Sequence, residues 1–575
     1  MTGPGTPDTV AAMVHVRRAL FLALSLLSAC AATEASPDQA FRRADDTPTG
    51  AFGHFLAGRF ALTETDPEIA AKELLRAYAM APEEPELLQQ AFIASIAAER
   101  PEALVLARAM PDNMAAQLLL AGDALQAGRW AEAERRFHAL PREGLSQLLQ
   151  PLLVAWAQQG AGHIDAALQT LRPFIDNPRL RGIYTLHAGL IAEASNRPVE
   201  AARHFQGLIQ DPPDGDLRLA QILASWHERN NRPAEARRLL AGVADRSPEA
   251  GIALRDLLAA VGARPVNTPA EAVAEAYVAL ALALRAQDQN DAALLMLRMA
   301  FRMRPDFALG RIMEADIQSA RKHYDLALKA VDSIGPADPL IAMARLRRAA
   351  ILDRMDRRDD AIEALRQIAA DHPESRLPDL QLGDLLRFQK RYPEAIAAYS
   401  RAIARIDTPV RSDWLAFYQR GVAYERSNRW ALAEADLKMA LELAPGQPFV
   451  LNYLGYSWAD MGRNLDQARA MIQQAAVDRK DDGAVADSLG WVMFRQGDVA
   501  NAVRTLERAV ELEPQDATIT EHLGDAYFVA GRKIEARYQW KRALTLSPAI
   551  EDVAKLEDKL KNGLAGVAAG NRQTP

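Results

Sequence analysis

The chain has 575 residues, of which 49% are hydrophobic and 25% are charged, a balance typical of a folded protein that excludes wholesale disorder and a polytopic membrane protein. Its formal net charge of −7 argues against a nucleic-acid partner, because nucleic-acid binders usually carry a basic surface. Aromatic residues make up only 6%, and the single cysteine excludes a disulfide framework and a cysteine-based zinc site.

The N-terminus carries the pattern of a secretory signal. Arg17 and Arg18 precede an apolar run over residues 19–27, which is too short to cross a bilayer because a spanning helix needs about 20 residues. Small residues then lead to Cys30, the only cysteine. We predict a signal peptide over residues 1–29, with either Met1 or Met13 as the start.

Residues 27–30, Leu-Ser-Ala-Cys, resemble the bacterial lipobox, whose cysteine is lipidated and becomes the first residue of the mature chain. The resemblance implies a lipid anchor on Cys30 in a Gram-negative bacterium. Because Ala31 and not an aspartate follows, it also implies delivery to the outer membrane, on its periplasmic face. Residues 30–49 have little apolar content and are predicted to form a tether. A plain signal peptide is the alternative.

One helical pattern recurs about every 34 residues from residue 50 onward. Its clearest copies have a small residue on a first helix, Gly490 or Gly524, and an alanine 12 residues later on a second helix, Ala502 or Ala536. The small residue would let the second helix approach closely, and larger apolar residues four and seven positions after the alanine form a stripe. A proline such as Pro514 cannot extend the second helix and starts the next turn.

This pattern, Leu-Gly-x-x-Tyr followed by Ala and Pro, resembles the tetratricopeptide repeat, which has a period of 34 residues. The resemblance implies an all-α fold, a right-handed superhelical solenoid of about fourteen helix pairs in two arms, with a concave face that binds proteins. The small anchor residues are Gly58, Ala91, Ala121, Ala155, Gly189, Ala224, Ala281, Ala315, Ala349, Gly383, Gly421, Gly455, Gly490 and Gly524.

The repeat register breaks once, between Ala224 and Ala281. We therefore predict an N-terminal arm over residues 50–248 and a C-terminal arm over residues 270–548. The junction over residues 249–269 is predicted to include a lone helix over residues 250–261. Residues 549–575 are predicted to contain a polar capping helix and a tail, because a solenoid needs a polar cap at its end.

No catalytic motif stands out in the sequence. The ten histidines are scattered, and the zincin, phosphate-loop and nucleophile-elbow patterns are missing. The repeats also leave no room for an appended catalytic domain of about 100 residues. We therefore predict a protein that is not an enzyme and uses neither a metal nor a cofactor.

In the repeat family the first helix of each pair lines the concave face, and the resemblance places groove positions three before, one after, and four or five after the small anchor. In the last four repeats, five of these positions are aromatic although the chain is poor in aromatics. Aromatic side chains dominate interface hot spots, while packing between neighbouring repeats is the alternative. The predicted partner-binding residues are Tyr418, Asn452, Tyr456, Asp487, Trp491, Phe494, Arg495, Asp525 and Phe528.

The layout of lipobox, short tether and long repeat array resembles outer-membrane lipoprotein adaptors of carboxyl-terminal processing proteases. The resemblance implies a non-catalytic scaffold that brings peptidoglycan hydrolases to a periplasmic protease. A scaffold for envelope polysaccharide or peptidoglycan assembly, a repeat-bearing glycosyltransferase and a cytosolic adaptor are the alternatives. Self-association through terminal repeats stays open.

Overall fold

The computed structural model describes residues 50–141, 144–177, 181–210 and 216–564. Within these ranges the protein has 31 α-helices, one short 3-10 helix and no strand. The predicted all-α repeat fold is confirmed. The predicted signal peptide, Cys30 and the whole predicted tether lie outside the described residues.

The chain divides into two compact units. The first ends at Ala361 and the second begins at Ile362. The first unit contains α1 Ala51–Thr63, α2 Pro67–Met80, α3 Pro85–Ala97, α4 Glu102–Arg108, α5 Met114–Gln126, α6 Trp130–His138, α7 Gly144–Gly160, α8 Ile164–Ile175, α9 Arg181–Ala194, α10 Pro198–Gln210, α11 Leu217–Arg229, α12 Pro233–Arg246, α13 Pro248–Ile252, α14 Leu254–Ala260, α15 Pro269–Arg285, α16 Asn290–Met303, α17 Ala308–Ala320, α18 Tyr324–Asp332 and α19 Ile341–Arg354.

Helix α20, Arg358–Asp371, crosses the boundary between the units. The second unit then contains α21 Leu377–Phe388, α22 Tyr392–Ile403, α23 Trp414–Arg426, α24 Trp430–Leu443, α25 Pro448–Asp460, α26 Leu465–Asp478, α27 Gly483–Arg495, α28 Val499–Leu512, α29 Ala517–Val529, α30 Lys533–Thr545 and α31 Ile550–Asn562. The 3-10 helix Arg411–Asp413 precedes α23.

Consecutive helices pack in pairs, for the reason that the sequence suggests. A Cβ atom added at Gly490 would lie 2.6 Å from Leu506 Cγ of the partner helix, which is closer than real Cβ contacts allow. The first helix of the pair ends at a residue of left-handed conformation, such as Gly497 with φ 82°, a position that favours glycine. Both features let α27 and α28 turn back on one another at short distance.

Helix α15 is buried against several helices of the first unit. Its buried residues surround it on almost every side, from Ala272 to Leu284, so the helix must be covered by several neighbours at once. It packs against α5 and α7 as well as against its own partner α16, and α16 also contacts α3 and α5. Helices from both predicted arms therefore share one hydrophobic core. The predicted boundary at residues 249–269 follows the repeat register, whereas the compact units meet within α20.

The single helix predicted over residues 250–261 is wrong in detail. Two short helices, α13 and α14, meet at Ala253, whose N–H donates to the carbonyl of Ala250 at 3.1 Å. This bond spans three residues where an α-helix spans four, so the chain tightens there and interrupts the helix.

The predicted capping position holds a helix, α31, which buries Leu556 in a cluster that includes Trp540. None of the helices in the described ranges combines the length and apolar character that a membrane span needs.

Candidate partner-binding groove

The nine predicted groove residues lie on α23, α25, α27 and α29, the first helices of the last four pairs. Along these helices the residues three or four positions apart share one face, so the repeat register brings them onto one side. Helices α25, α27 and α29 contact one another in sequence. The side of α23, α25, α27 and α29 that carries the nine predicted residues is called the groove face below.

An aromatic stack forms the middle of the groove face. The Trp491 ring stacks on the His522 ring, with ring centroids 4.0 Å apart. The Phe494 ring also stacks on Trp491, with ring centroids 5.1 Å apart. Tyr456 approaches His522 at 6.3 Å between ring centroids. The Arg495 guanidinium lies 5.8 Å from the Trp491 centroid. Trp491 and Tyr456 therefore pack against one histidine, and Phe494 and Arg495 pack against Trp491.

His522 is held by the carboxylate of Asp487. Its Nδ1 lies 3.0 Å from both Asp487 oxygens, and both residues are buried. Burial works against the charged imidazole, but the Asp487 charge and hydrogen bond, with Asp525 and Glu521 nearby, outweigh it and raise the pKa of His522 above its ordinary value. The Asp487 carboxylate thus has an internal partner, and its predicted contact with a bound protein stays a prediction.

Two polar atoms of the predicted set have no hydrogen-bond partner among the described residues. They are Nε1 of Trp491, a donor, and Oδ1 of Asn452, an acceptor. Trp491 is only 8% exposed, and burying an unpaired polar group costs free energy. Both atoms are closed to solvent, so a peptide on the groove face could reach neither of them without a local movement.

Tyr418 belongs to a second aromatic group on the same face. Its ring lies 5.8 Å from Tyr453, edge to face, and 5.9 Å from Trp414. Burial raises the pKa of the Tyr418 hydroxyl. Tyr418 on α23 thus lies two repeats before Trp491 on α27.

Asp525 and Phe528 are covered by α31. Lys559 Nζ donates to Asp525 Oδ2 at 2.7 Å and to Glu521 Oε1 at 2.6 Å, and Trp540 Nε1 donates to Asp525 Oδ1 at 2.8 Å. The backbone of Gly563 is packed so closely on Phe528 that an added Cβ would lie 2.5 Å from its ring. The capping helix therefore occupies the last repeat of the groove face, and contact of these two residues with a partner stays a prediction.

The sequence analysis missed two residues of this face, His522 and Lys559. His522 lies two positions before the small anchor Gly524, and this position points between neighbouring first helices. Lys559 follows Asp525 by 34 residues, so one more step of the repeat period would have found it.

Among the residues that the structure describes, no group of three or more His, Cys, Asp or Glu side chains could hold a metal ion.

Comparisons with known proteins identify the repeats. Residues 259–417 match the family model of a tetratricopeptide repeat-like domain, and residues 152–216 and 488–549 match that of a tetratricopeptide repeat. The chain therefore contains tetratricopeptide-repeat domains, and the second of these models covers the helices that carry Trp491, Phe494, Asp525 and Phe528.

A TPR repeat-containing protein of Pseudomonas aeruginosa is 29% identical over 220 residues, which are 38% of this chain and 35% of that protein. The match thus spans about a third of the relative's own length.

Two solved structures are similar at low identity. A tetratricopeptide repeat protein from Parabacteroides merdae is 17% identical with a TM-score of 0.37, covering 44% of this chain and 99% of that chain. The APC/C hetero-tetramer Cut9-Hcn1 is 14% identical with a TM-score of 0.36, covering 89% and 96%.

Proposed function

We propose that this chain, which carries tetratricopeptide repeats in both compact units, is a non-catalytic scaffold that binds a partner protein through the groove face of α23, α25 and α27. Family models support the repeats, and proteins built of such repeats present extended surfaces to partners. The scaffold is held by a lipid on Cys30 at the periplasmic side of the outer membrane.

The half-buried rings of Tyr418, Tyr456 and Phe494 on the groove face are the observation that carries this proposal. Such rings offer a large contact area with few rotatable bonds. A peptide segment laid along the face would cover them and remove their remaining apolar surface from water.

The partner we propose is a periplasmic processing protease, with peptidoglycan hydrolases as the proteins delivered to it. This part rests on the resemblance in layout, namely lipobox, short tether and long repeat array. No described residue carries it.

The test is crosslinking and affinity capture of the tagged full chain from envelope fractions, followed by mass spectrometry. Wild type should enrich a processing protease and cell-wall hydrolases. The Cys30→Ala variant should no longer be found in the membrane fraction. The double variant Tyr456→Ala/Trp491→Ala should lose the partners while its far-UV circular dichroism stays unchanged.

A matched control replaces the exposed Val477 and Tyr538, which lie on second helices, by alanine. This variant should capture the same partners as wild type. Capture that survives in the folded Tyr456/Trp491 variant would show that the groove face is not the binding surface. Enrichment of synthases in place of a protease would replace the adaptor role by a scaffold for envelope assembly.

A further inference from the structure

A cleft lies on the groove face around α23, two repeats before Trp491 on α27. It has a volume of about 310 Å³ and lies between α21, α23 and α25. Its lining residues are Arg387, Tyr392, Tyr418, Gln419, Val422, Arg426 and Tyr453. Two guanidinium groups and three tyrosine rings therefore face one small volume.

The two arginines of the cleft are loosely paired. Arg387 Nε lies 3.4 Å from the Tyr399 hydroxyl, and its Nη2 lies 3.9 Å from Asp384 Oδ1. Arg426 Nε lies 3.4 Å from Glu425 Oε2. By contrast, Arg420, which lies on α23 like Arg426, donates two hydrogen bonds of 2.7 and 2.8 Å to the Asp436 carboxylate. Each guanidinium has five N–H donors, more than the contacts of the cleft arginines use.

The carboxylates beside the cleft are already engaged by tyrosines. The Tyr399 hydroxyl donates to Asp384 at 2.6 Å, and the Tyr453 hydroxyl donates to Glu425 at 2.9 Å. Burial raises the pKa of Asp384, while the hydrogen bond from Tyr399 and the charge of Arg387 work against the rise. Each carboxylate therefore accepts a tyrosine hydroxyl in addition to lying near an arginine, while the two guanidinium groups keep N–H donors beyond the contacts given above.

We propose that this cleft binds the side-chain carboxylate of an aspartate or glutamate in the peptide that occupies the groove face. A planar guanidinium pairs with a carboxylate through two parallel N–H···O bonds, and such charge-assisted bonds are among the stronger ones. The rings of Tyr392, Tyr418 and Tyr453 enclose the apolar stem of the acidic side chain. The inference rests on the proposed function, because it specifies the chemistry of the segment that the groove face binds.

The acidic residue would lie at a defined distance from apolar residues of the same segment. The cleft lies between α21, α23 and α25, while the Trp491 stack lies on α25, α27 and α29. A single extended peptide that reaches both would therefore carry an acidic residue toward one end and aromatic or aliphatic residues toward the other.

The experiment is a selection of random dodecapeptides on the immobilised full chain. The peptides are displayed as fusions through their C-termini, so that any carboxylate preference comes from side chains. Wild type should enrich peptides that contain an aspartate or glutamate at a fixed spacing from apolar residues. The double variant Arg387→Gln/Arg426→Gln should lose the acidic preference, and Arg387→Lys/Arg426→Lys should keep part of it because the charges remain.

The matched control replaces two exposed arginines of the second helix α28, Arg504→Gln/Arg508→Gln, and should select like wild type. A selected peptide is then compared with its Asp→Asn or Glu→Gln form by fluorescence anisotropy. Wild type should bind the acidic form about tenfold more tightly, which is the effect of one charge-assisted bond. The Arg387→Gln/Arg426→Gln variant should bind both forms equally, and circular dichroism shows whether it is folded.

The outcomes separate this inference from the proposed function. Selection without an acidic preference, or an acidic preference that persists in the folded glutamine variant, overturns the carboxylate cleft and leaves the groove proposal standing. A wild-type chain that enriches no peptide at all overturns both.

Discussion

At the scale of single residues, buried polar groups decide which side chains of the groove face are free for a partner. Asp487 is paired with His522, and Asp525 is paired with Lys559. The rings of Tyr418, Tyr456 and Phe494 in contrast are half-buried and can be covered by a partner. The repeat register predicted which face these side chains share, but it could not predict their pairing, because each partner comes from the next repeat along the stack.

We expect the stability of the second unit to depend on pH through His522. Its pKa is raised in the folded state, so its contribution is fully present below the ordinary histidine value of about 6.5 and is lost as the pH rises through the folded value. The charged groups that face it are Asp487, Asp525, Glu521 and Lys559, and Tyr456 faces it from α25.

Urea denaturation at pH 6 and pH 9, followed by tryptophan fluorescence, measures this dependence. The free energy of unfolding should be larger at pH 6, and His522→Gln should remove most of the difference. Asp487→Asn should reduce the difference as well, since the carboxylate is what stabilises the charged ring. A His522→Gln variant with the full wild-type difference would contradict the assignment.

At the scale of helices, a small residue on the first helix sets how closely each pair packs. The sequence predicted this correctly at Gly490 and Gly524, because a fixed period repeats the same steric requirement. It failed at the junction helix, where no repeat constrains the chain and a single short-range bond at Ala253 divides one helix into two. Helix pairs with a strong periodic pattern are therefore predictable, whereas irregular connections are not.

Gly490→Ala should destabilise the protein. The added methyl group would lie 2.6 Å from Leu506 Cγ, and overpacking of this kind costs about 1–3 kcal/mol, against which the better helix propensity of alanine returns about 1 kcal/mol. Equilibrium urea denaturation followed at 222 nm measures the loss.

Gly207→Ala in α10 is the control with the opposite sign. No atom lies within 4 Å of a Cβ at that position, so the substitution should raise the free energy of unfolding by up to about 1 kcal/mol. If Gly490→Ala were as stable as wild type, the close approach would not be what fixes this helix pair.

At the scale of the whole molecule, long-range contacts decide how the repeats group into compact units. In the first unit, Glu99 accepts hydrogen bonds from Arg298 at 2.5 Å and from Arg311 at 2.8 Å, across 199 and 212 residues of sequence. Together with the packing of α15 on α5 and α7, these bonds join helices that the repeat register assigned to different arms.

Glu99→Gln should lower the stability of the first unit by about 2 kcal/mol, because it removes the charge that two partly buried arginines share. Hydrogen exchange should become faster at the amides of α3 and α16, while those of α27 in the second unit serve as the reference. Glu68→Gln is the control. Glu68 is half exposed and its ion pairs are 3.8 and 3.9 Å long, so its loss should change little. Equal effects of the two substitutions would contradict a role for Glu99 in closing the unit.

The sequence by itself determined the all-helical repeat fold, since a 34-residue period dictates how helices pair through local geometry. The binding role of Tyr418, Tyr456 and Trp491 and the capping role of the last helix stay predictions. Only the tertiary structure decided that His522 stacks on Trp491, that Lys559 donates to Asp525 of the last repeat, and that α15 packs against α5 and α7. These contacts join side chains from different repeats. Their partners are set by how repeats stack and turn back on one another, and a period read along one chain carries no record of that.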